Sequence, residues 1–271
     1  MTDYIEASFE NLEEEKKEIL IALLAEEGFE AFEEEASGLK AFIAFKGFDK
    51  KRLIELATSQ NISFTISFIR SENWNRKWEY NFHPVVIDEF CAIRASFHQP
   101  IKSVQHEIII TPKMSFGTGH HATTEMMVRV MRGIDFDNKS VFDFGTGTGI
   151  LAILAEKLGA AEVTAIDYDN WSIENAKENT KANECNKINI IQATAPIIGK
   201  KYDIILCNII KKIILENFST MVNQLNSGGY LILSGLLKED RKEINEQIFR
   251  HHLKIIHELE KENWICLSLS S

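Results

Sequence analysis

The sequence lacks paired cysteines, long apolar runs and a surplus of basic residues. Its four cysteines are scattered and form no C-x-x-C pair: Cys91, Cys185, Cys207 and Cys266. That pattern favours reduced, buried thiols in a cytosolic protein over a disulfide framework or a metal centre. No apolar run approaches the ~18 residues of a membrane span, and the first residues lack the basic and apolar pattern of a secretory signal. These absences predict a cytoplasmic protein with no membrane partner.

The shortage of basic residues also bears on the partner. The chain of 271 residues carries 30 Lys and Arg against 40 Asp and Glu, a formal charge of −10 at pH 7. Residues 1–70 hold 15 of the acids and 8 of the bases, which is most of the excess. Because sequence-independent binding of nucleic acid depends on neutralising phosphates, nucleic acid is not expected as a direct partner. The acidity suits a basic protein partner, or it serves only solubility.

Hydrophobic patterning predicts a small domain at the start of the chain. Strand, helix, two strands, helix and strand follow one another in residues 1–70, and Asp49 is placed to cap the second helix. The order β-α-β-β-α-β is that of a ferredoxin-like α+β domain. Residues 71–83 form a polar, aromatic linker, in which Trp74 and Trp78 either anchor neighbouring surfaces or contact a ligand.

Residues 84–271 are organised around a glycine-rich turn. The stretch 141–151 (VFDFGTGTGIL) predicts a buried strand, a tight loop and a helix. In doubly wound α/β folds a nucleotide-like ligand lies at such a crevice, and Gly145 and Gly147 let the backbone approach it closely. Asp167 ends the next predicted strand, 22 residues after Gly145. A carboxylate there accepts hydrogen bonds from ribose hydroxyls, or it caps the following helix.

Two cofactor classes use a glycine-rich turn and an acid on the second strand. Nicotinamide enzymes place a G-x-G-x-x-G turn against a pyrophosphate, whereas the turn here is G-x-G-x-G. That spacing suits a cofactor without a pyrophosphate, whose amino-acid end lies over the loop. Asn208 ends a later strand, and two terminal strands can pair antiparallel. Together these features favour a Rossmann-like S-adenosylmethionine methyltransferase domain over a dehydrogenase.

A second unusual segment, residues 114–124 (MSFGTGHHATT), leads into a helix. Its hydroxyls, and the free N–H groups of the helix N-terminus, suit a bound ligand. The paired histidines raise the question of a metal. Adjacent residues rarely point at one ion, and no third ligand stands at a familiar spacing. We therefore predict no metal site.

These motifs resemble those of the ribosomal protein methyltransferases that act on large-subunit protein eleven. The resemblance spans the whole chain, and S-F-G-T-G-H-H-x-T-T within residues 114–124 is its most specific part. It implies S-adenosylmethionine-dependent methylation of lysine ε-amines, and of the N-terminal α-amine, with the N-terminal domain recognising the substrate. The alternatives are an amino-methyltransferase acting on nucleic acid or a small molecule, and a non-catalytic binding module that retains the pocket.

Carried over by position, the resemblance implies roles for five residues. Thr124, Gly145 and Gly147 would contact the cofactor, with Gly145 beneath its methionine part. Asp167 would hold the ribose hydroxyls. Asn208 would be the catalytic residue, in contact with the cofactor and beside the methyl group and the target amine.

The sequence departs from the family pattern in two places. Residues 209–212 (IIKK), which include Lys211 and Lys212, stand where the family often has small residues and a proline, which affects the expected lysine channel rather than the cofactor site. Ala122 replaces a residue that is often proline or glutamate. The sequence offers no dedicated general base, although a lysine amine with an ordinary pKa of about 10.4 must lose a proton before it attacks.

Overall fold

The computed structural model describes residues 3–35, 37–69, 82–112, 119–196 and 199–271. The chain divides into two compact units, Met1–Phe82 and His83–Ser271, each with its own hydrophobic core. The predicted linker, residues 71–83, lies outside the described residues except for Phe82 and His83, so the predicted domain boundaries stay a prediction. Within the described ranges, no helix is long and apolar enough to cross a membrane.

The first unit has the predicted order of elements. These are β1 (Tyr4–Glu10), α1 (Glu14–Glu26), β2 (Ala31–Glu35), β3 (Gly38–Ala44), α2 (Lys50–Ser59) and β4 (Phe64–Ile69), with a short 3₁₀ helix at Phe45–Gly47. The strands pair antiparallel in the order β2-β3-β1-β4. This is the ferredoxin-like arrangement. Asp49 caps α2 as predicted, because its carboxylate accepts hydrogen bonds from Lys51 N and Arg52 N at 2.9 and 3.4 Å.

This four-stranded sheet buries one face. Ile5, Ala7 and Phe9 of β1 point into the core of the unit, and the residues between them lie on the opposite face. That opposite face is acidic. Glu6 of β1 and Glu33 of β2 lie on this face, on either side of Lys40 of β3, whose cross-strand partners are Ser8 and Glu33.

The second unit contains a seven-stranded sheet and a separate three-stranded sheet. Its elements are β5 (Val85–Ile87), β6 (Cys91–Ala95), β7 (His106–Ile110), α3 (Ala122–Met131), β8 (Ser140–Phe144), α4 (Ile150–Lys157), β9 (Glu162–Asp167), α5 (Asn170–Ala182), β10 (Ile188–Gln192), β11 (Tyr202–Asn208), α6 (Lys211–Asn223), β12 (Leu225–Leu237), α7 (Arg241–Arg250), β13 (Lys254–Lys261) and β14 (Trp264–Ser270), with a 3₁₀ turn at Lys238–Asp240. The small sheet has the order β5-β6-β7, and the large one β10-β9-β8-β11-β12-β14-β13.

The large sheet is parallel from β10 to β12 and ends in two antiparallel strands, β14 and β13. This confirms the predicted Rossmann-like fold and its antiparallel terminal strands. In the sheet, β9 lies on one side of β8, and β11 lies on its other side. The strand order therefore reverses at β8, which opens a crevice outside the carboxyl ends of β8, β9 and β11.

Two features of the large sheet differ from the sequence prediction. Strand β10 was not predicted, because its residues are only partly buried and show no clear alternation. Residues 227–229 (SGG), a composition typical of a turn, lie inside β12, which runs from Leu225 to Leu237. Between the pairs Tyr202↔Leu225 and Ile204↔Tyr230 the register shifts, so the glycines bulge within the strand instead of preceding it.

Candidate active site

The glycine-rich turn joins β8 to α4 at the crevice. Gly145 N donates to Ile166 O at 2.9 Å, which ties the turn to β9. The three glycines all have positive φ: Gly145 at 78°, Gly147 at 55° and Gly149 at 85°. A Cβ built at Gly145 would overlap Ile209 Cγ2. Glycine is required at this position both for the backbone conformation and for space.

Asp167 ends β9 directly beside this turn and is buried. Its Oδ2 accepts a hydrogen bond from Gly147 N at 2.9 Å, and its Oδ1 accepts one from Asp169 N at 3.0 Å. The cap of α5 is Asp169, whose Oδ2 accepts from Ser172 N at 2.9 Å. The helix cap considered for Asp167 therefore belongs to Asp169. Since each carboxylate oxygen has two lone pairs, Asp167 keeps room for further donors such as hydroxyls.

Asn208 is the last residue of β11 and is half-buried. Its Oδ1 is shielded from solvent and has no hydrogen-bond partner among the residues that the structure describes. Leaving such a group unsatisfied costs about 1–3 kcal/mol, so the oxygen is an acceptor suited to a donor from a ligand. The next residue, Ile209, contacts the turn, because it fills the space beside Gly145.

Thr124 lies in the first turn of α3 and is buried. Helix α3 packs against α4, which follows the glycine turn, against β11, which ends in Asn208, and against β12. The structure thus joins Gly147 to Asp167 by a hydrogen bond, and Gly145 to the residue after Asn208 by packing. Thr124 is placed only by its helix, and within the described stretches it makes no hydrogen bond to the other four predicted residues.

Asp143 is a buried acid that is not among the predicted site residues. It lies near the carboxyl end of β8, and its Oδ2 accepts a hydrogen bond from Thr146 Oγ1 at 2.7 Å. Burial raises the pKa of this carboxyl to about 7, and the nearby charge of Asp167 adds to the rise, while the bond from Thr146 opposes it. An acid inside an otherwise apolar strand was the available signal, because burying a carboxylate is costly.

The two histidines of the 114–124 segment make contacts within the protein. His120 Nε2 lies 2.9 Å from His83 O. His121 caps α3, since its Nδ1 accepts from Thr123 N at 3.3 Å, and its ring packs edge-on against Trp264 at 4.8 Å between centroids. Within the described ranges, no three His, Cys, Asp or Glu side chains group as metal ligands. Residues 113–118 of this segment lie outside the described residues.

Comparison with known proteins gives the family of the chain. Residues 5–271 match the family Ribosomal protein L11 methyltransferase (PrmA). The chain belongs to this family. It is 35% identical to the ribosomal protein L11 methyltransferase of Bacteroides fragilis, over 97% of this chain and 98% of the relative. It is 38% identical to that of Porphyromonas gingivalis, over 92% and 89%. The resemblance drawn from the motifs is confirmed.

A solved structure supports the same assignment. The crystal structure of ribosomal protein L11 methylase from Lactobacillus delbrueckii subsp. bulgaricus is 29% identical to this chain, with a TM-score of 0.65. The match covers 70% of this chain and 98% of that one. The fold around the crevice is therefore that of a PrmA family member.

The main departure from the PrmA pattern has a structural account. Lys211, at the start of α6, places its Nζ 2.9 Å from Asp240 Oδ1 and 2.8 Å from Glu243 Oε1. These carboxylates raise the pKa of Lys211. Its ammonium group is therefore ion-paired at the start of α7. Lys212 is exposed and lies 4.0 Å from Glu216 on its own helix.

The cysteines of this PrmA protein were predicted to be reduced and buried, and three of the four are buried. All four are free thiols, and Cys91, Cys207 and Cys266 are buried, whereas Cys185 is half-buried. Burial raises the pKa of Cys91 and of Cys266 to about 12. Both side chains therefore remain neutral thiols that pack in the core.

Proposed function

We propose that this chain is an S-adenosylmethionine-dependent methyltransferase that acts on ribosomal protein L11. Membership of the PrmA family across residues 5–271 supports the class of activity, and the relatives at 35–38% identity carry that name. The observation that carries the proposal is the shielded Oδ1 of Asn208, which has no partner within the described residues and lies at the carboxyl edge of the sheet beside the glycine turn.

The residues at this edge fit the cofactor. Asp167 keeps lone pairs for the two ribose hydroxyls after its bonds to Gly147 N and Asp169 N. Gly145 leaves room for Ile209, the residue after Asn208, to pack against the turn, and Thr124 brings a hydroxyl on a neighbouring helix. When bound, S-adenosylmethionine supplies the methyl group on a cationic sulfonium, and the protein supplies orientation and electrostatics.

Within this proposal, Asn208 orients the nucleophile. An amine attacks only as the neutral base, and removal from water favours the neutral form of a lysine. Asn208 Oδ1 would accept a hydrogen bond from the amine N–H, which directs the nitrogen lone pair toward the methyl carbon. The same oxygen would receive the partner that it lacks within the described structure. We propose lysine ε-amines and the N-terminal α-amine of L11 as the targets.

We further propose that the first unit recognises the protein substrate. It has its own core, and its 15 acidic and 8 basic residues through position 70 give it a surface suited to a basic partner. A protein that begins at Ser71 is expected to bind S-adenosylmethionine and to lose methylation of L11. Calorimetric titration of the cofactor beside the activity assay tests this, and unchanged activity would assign the first unit another purpose.

A radiolabelled methyl-transfer assay tests the activity itself. Purified L11, free ribosomal RNA and buffer alone are each incubated with the enzyme and labelled cofactor. We expect label in L11 only, and mass spectrometry of the labelled peptides then distinguishes lysine side chains from the N-terminus. Label in RNA and not in protein would favour the alternative amino-methyltransferase.

We also propose a cytoplasmic location. The four cysteines are free thiols, and the relatives are named as methyltransferases of a ribosomal protein.

A further inference from the structure

Helix α5 buries asparagines along one face. Asn175, Asn179 and Asn183 follow one another at intervals of four residues, and their exposures are 0%, 0% and 9%. Intervals of four place them on the same side of the helix. Burying a carboxamide is costly unless its oxygen and nitrogen are both hydrogen-bonded. The contacts of this face therefore require an explanation beyond packing.

Two of these asparagines bind the edge of β7. Asn183 Oδ1 accepts from Ile109 N at 2.9 Å, and its Nδ2 donates to Ile109 O at 2.6 Å. Asn179 Oδ1 accepts from Thr111 N at 2.7 Å. Four helical residues rise about 6.0 Å and two strand residues about 6.6 Å, so carboxamides four apart match strand residues two apart. The helix thus supplies hydrogen bonds that β7, as an edge strand, would otherwise lack.

Asn179 has a second contact that Asn183 does not share. Its Nδ2 donates to Thr148 O at 2.8 Å, within the glycine-rich turn. One carboxamide therefore joins the turn to Thr111, the residue from which the chain departs toward the 114–124 segment. The carbonyl needs a donor and the N–H needs an acceptor, and a carboxamide offers both in one rigid plane. A hydroxyl is shorter, and a carboxylate lacks the donor when ionised.

We propose that Asn179 is a positioning residue for the cofactor: it fixes the spacing between the glycine turn and Thr111. The inference rests on the proposed binding of S-adenosylmethionine over that turn. A cofactor seated on the turn stabilises the Thr148 carbonyl in place, and Asn179 transmits that order to Thr111. Asn183 bonds to Ile109 and, through Nδ2, to Asn179 O at 2.8 Å, and it makes no hydrogen bond to the glycine turn within the described residues. It is the matched control, because it lies in the same buried row and bonds to the same strand.

The first test compares Asn179→Ala with Asn183→Ala in the full chain. Each loses buried hydrogen bonds, so both lower the thermal unfolding temperature without cofactor. Titration calorimetry should show the Kd for S-adenosylmethionine rising about tenfold in Asn179→Ala and less than about twofold in Asn183→Ala. Equal changes in the two variants, or an unchanged Kd in Asn179→Ala, would overturn the inference.

The second test uses the unaltered protein and so does not depend on the folding of a variant. Amide hydrogen exchange is measured with and without saturating S-adenosylmethionine. Exchange of the Thr111 amide should slow more than tenfold, while that of the Ile109 amide changes less than twofold. Equal slowing of both, or no slowing of Thr111, would contradict the inference. Failure of the unaltered protein to bind S-adenosylmethionine at all would instead overturn the proposed function.

Discussion

The amino ends and the carboxyl ends of the parallel strands in the seven-stranded sheet carry similar polar side chains. The two sets differ in how completely they are hydrogen-bonded. At the amino end, Asp203 Oδ2 accepts from Ser140 Oγ at 2.8 Å, and its Oδ1 accepts from Asn226 Nδ2 at 2.8 Å. The backbone N–H of Ser140 also donates to Asp203, at 2.9 Å. These bonds hold the pKa of Asp203 below its usual range. A hydroxyl, a carboxylate and a carboxamide satisfy one another at this edge.

The carboxyl end has the same three groups, and they are not satisfied in the same way. Asp143 accepts from the Thr146 hydroxyl at 2.7 Å, yet burial raises its pKa to about 7. The carboxamide oxygen of Asn208 has no partner among the described residues. Residue types are therefore alike at the two edges, and the degree of hydrogen bonding distinguishes them. Unsatisfied polar groups and perturbed pKa values indicate the edge prepared for a ligand.

The largest effect is expected at Asn208, the carboxamide at the carboxyl end, when it is compared with Asn226 at the amino end. Asn208→Ala should lower methyl transfer at least about a thousandfold, about 4 kcal/mol, because it would remove the group that we propose orients the amine. Cofactor affinity should fall and remain measurable by calorimetry. The control, Asn226→Ala, should keep activity within about twofold and lose about 1 kcal/mol of unfolding free energy. Near-normal transfer by Asn208→Ala would remove Asn208 from the mechanism.

The two carboxylates should respond to pH with opposite sign. In the folded protein the pKa of Asp143 is about 7, whereas the pKa of an aspartate in an unfolded chain is near 3.9. Between about pH 4 and 7 the native state binds more protons, so this group lowers stability as pH rises, by at most about 4 kcal/mol. Asp143→Asn removes that decline, so its stability relative to the unaltered protein should increase from pH 4 to pH 8.

Asp203→Asn is the control for this pH series. Its pKa is lowered in the folded state, so its contribution to stability is present above the unfolded pKa and is lost as pH falls through the folded pKa. The variant should be less stable than the unaltered protein at neutral pH, and the difference should shrink in acid. Urea unfolding at a series of pH values measures both variants. Parallel curves for Asp143→Asn and the unaltered protein would show that Asp143 is not neutral in the fold.

A smaller effect on stability is expected when alanine replaces either of two glycines with similar backbone conformation. Gly145 and Gly228 have φ of 78° and 74°, but a Cβ at Gly228 would meet nothing within 4 Å, whereas one at Gly145 would overlap Ile209. Alanine at either site costs about 1 kcal/mol for the left-handed conformation. The overlap should bring the cost of Gly145→Ala to about 2–3 kcal/mol and weaken cofactor binding. Similar unfolding midpoints for the two variants would refute the steric argument.

The smallest effect concerns a polar group of the site that is already hydrogen-bonded. His121 caps α3 through its bond from Thr123 N. His121→Ala should lose about 1 kcal/mol of unfolding free energy, and His121→Asn should recover most of it, because asparagine is a strong N-cap. Thermal unfolding of the three proteins measures this. A stable alanine variant, or an asparagine variant as unstable as alanine, would mean that the cap contributes little.

Local patterns predicted the architecture well. The alternation in β1, the cap at Asp49 and the pairing of the terminal strands each depend on a few neighbouring residues, and all three occur in the structure. Strand β10 was missed because partial burial leaves no clear alternation. The bulge in β12 was missed because its glycines are typical of a turn, whereas Leu225 and Tyr230 on either side of them both pair with β11.

The state of the site residues depends on contacts between distant parts of the chain. The motif located Asp167 and Asn208, but only the fold shows that Asp169 caps α5 and that the Asn208 oxygen is shielded. The acid at Asp143 was visible, but its raised pKa depends on burial and on the position of Asp167. Asn179 gave no signal in the sequence, because Thr111 lies 68 residues before it.

Ile209 links the evolution of three positions. A Cβ at Gly145 would overlap its side chain, whereas one at Gly235 would overlap its backbone carbonyl. A smaller residue at position 209 would relieve the overlap at 145 and leave only the cost of the left-handed backbone there, about 1 kcal/mol. No side chain at 209 can relieve an overlap with its carbonyl. Position 235 is therefore expected to accept a larger residue less readily than position 145, which makes its glycine the more dependable marker of this arrangement.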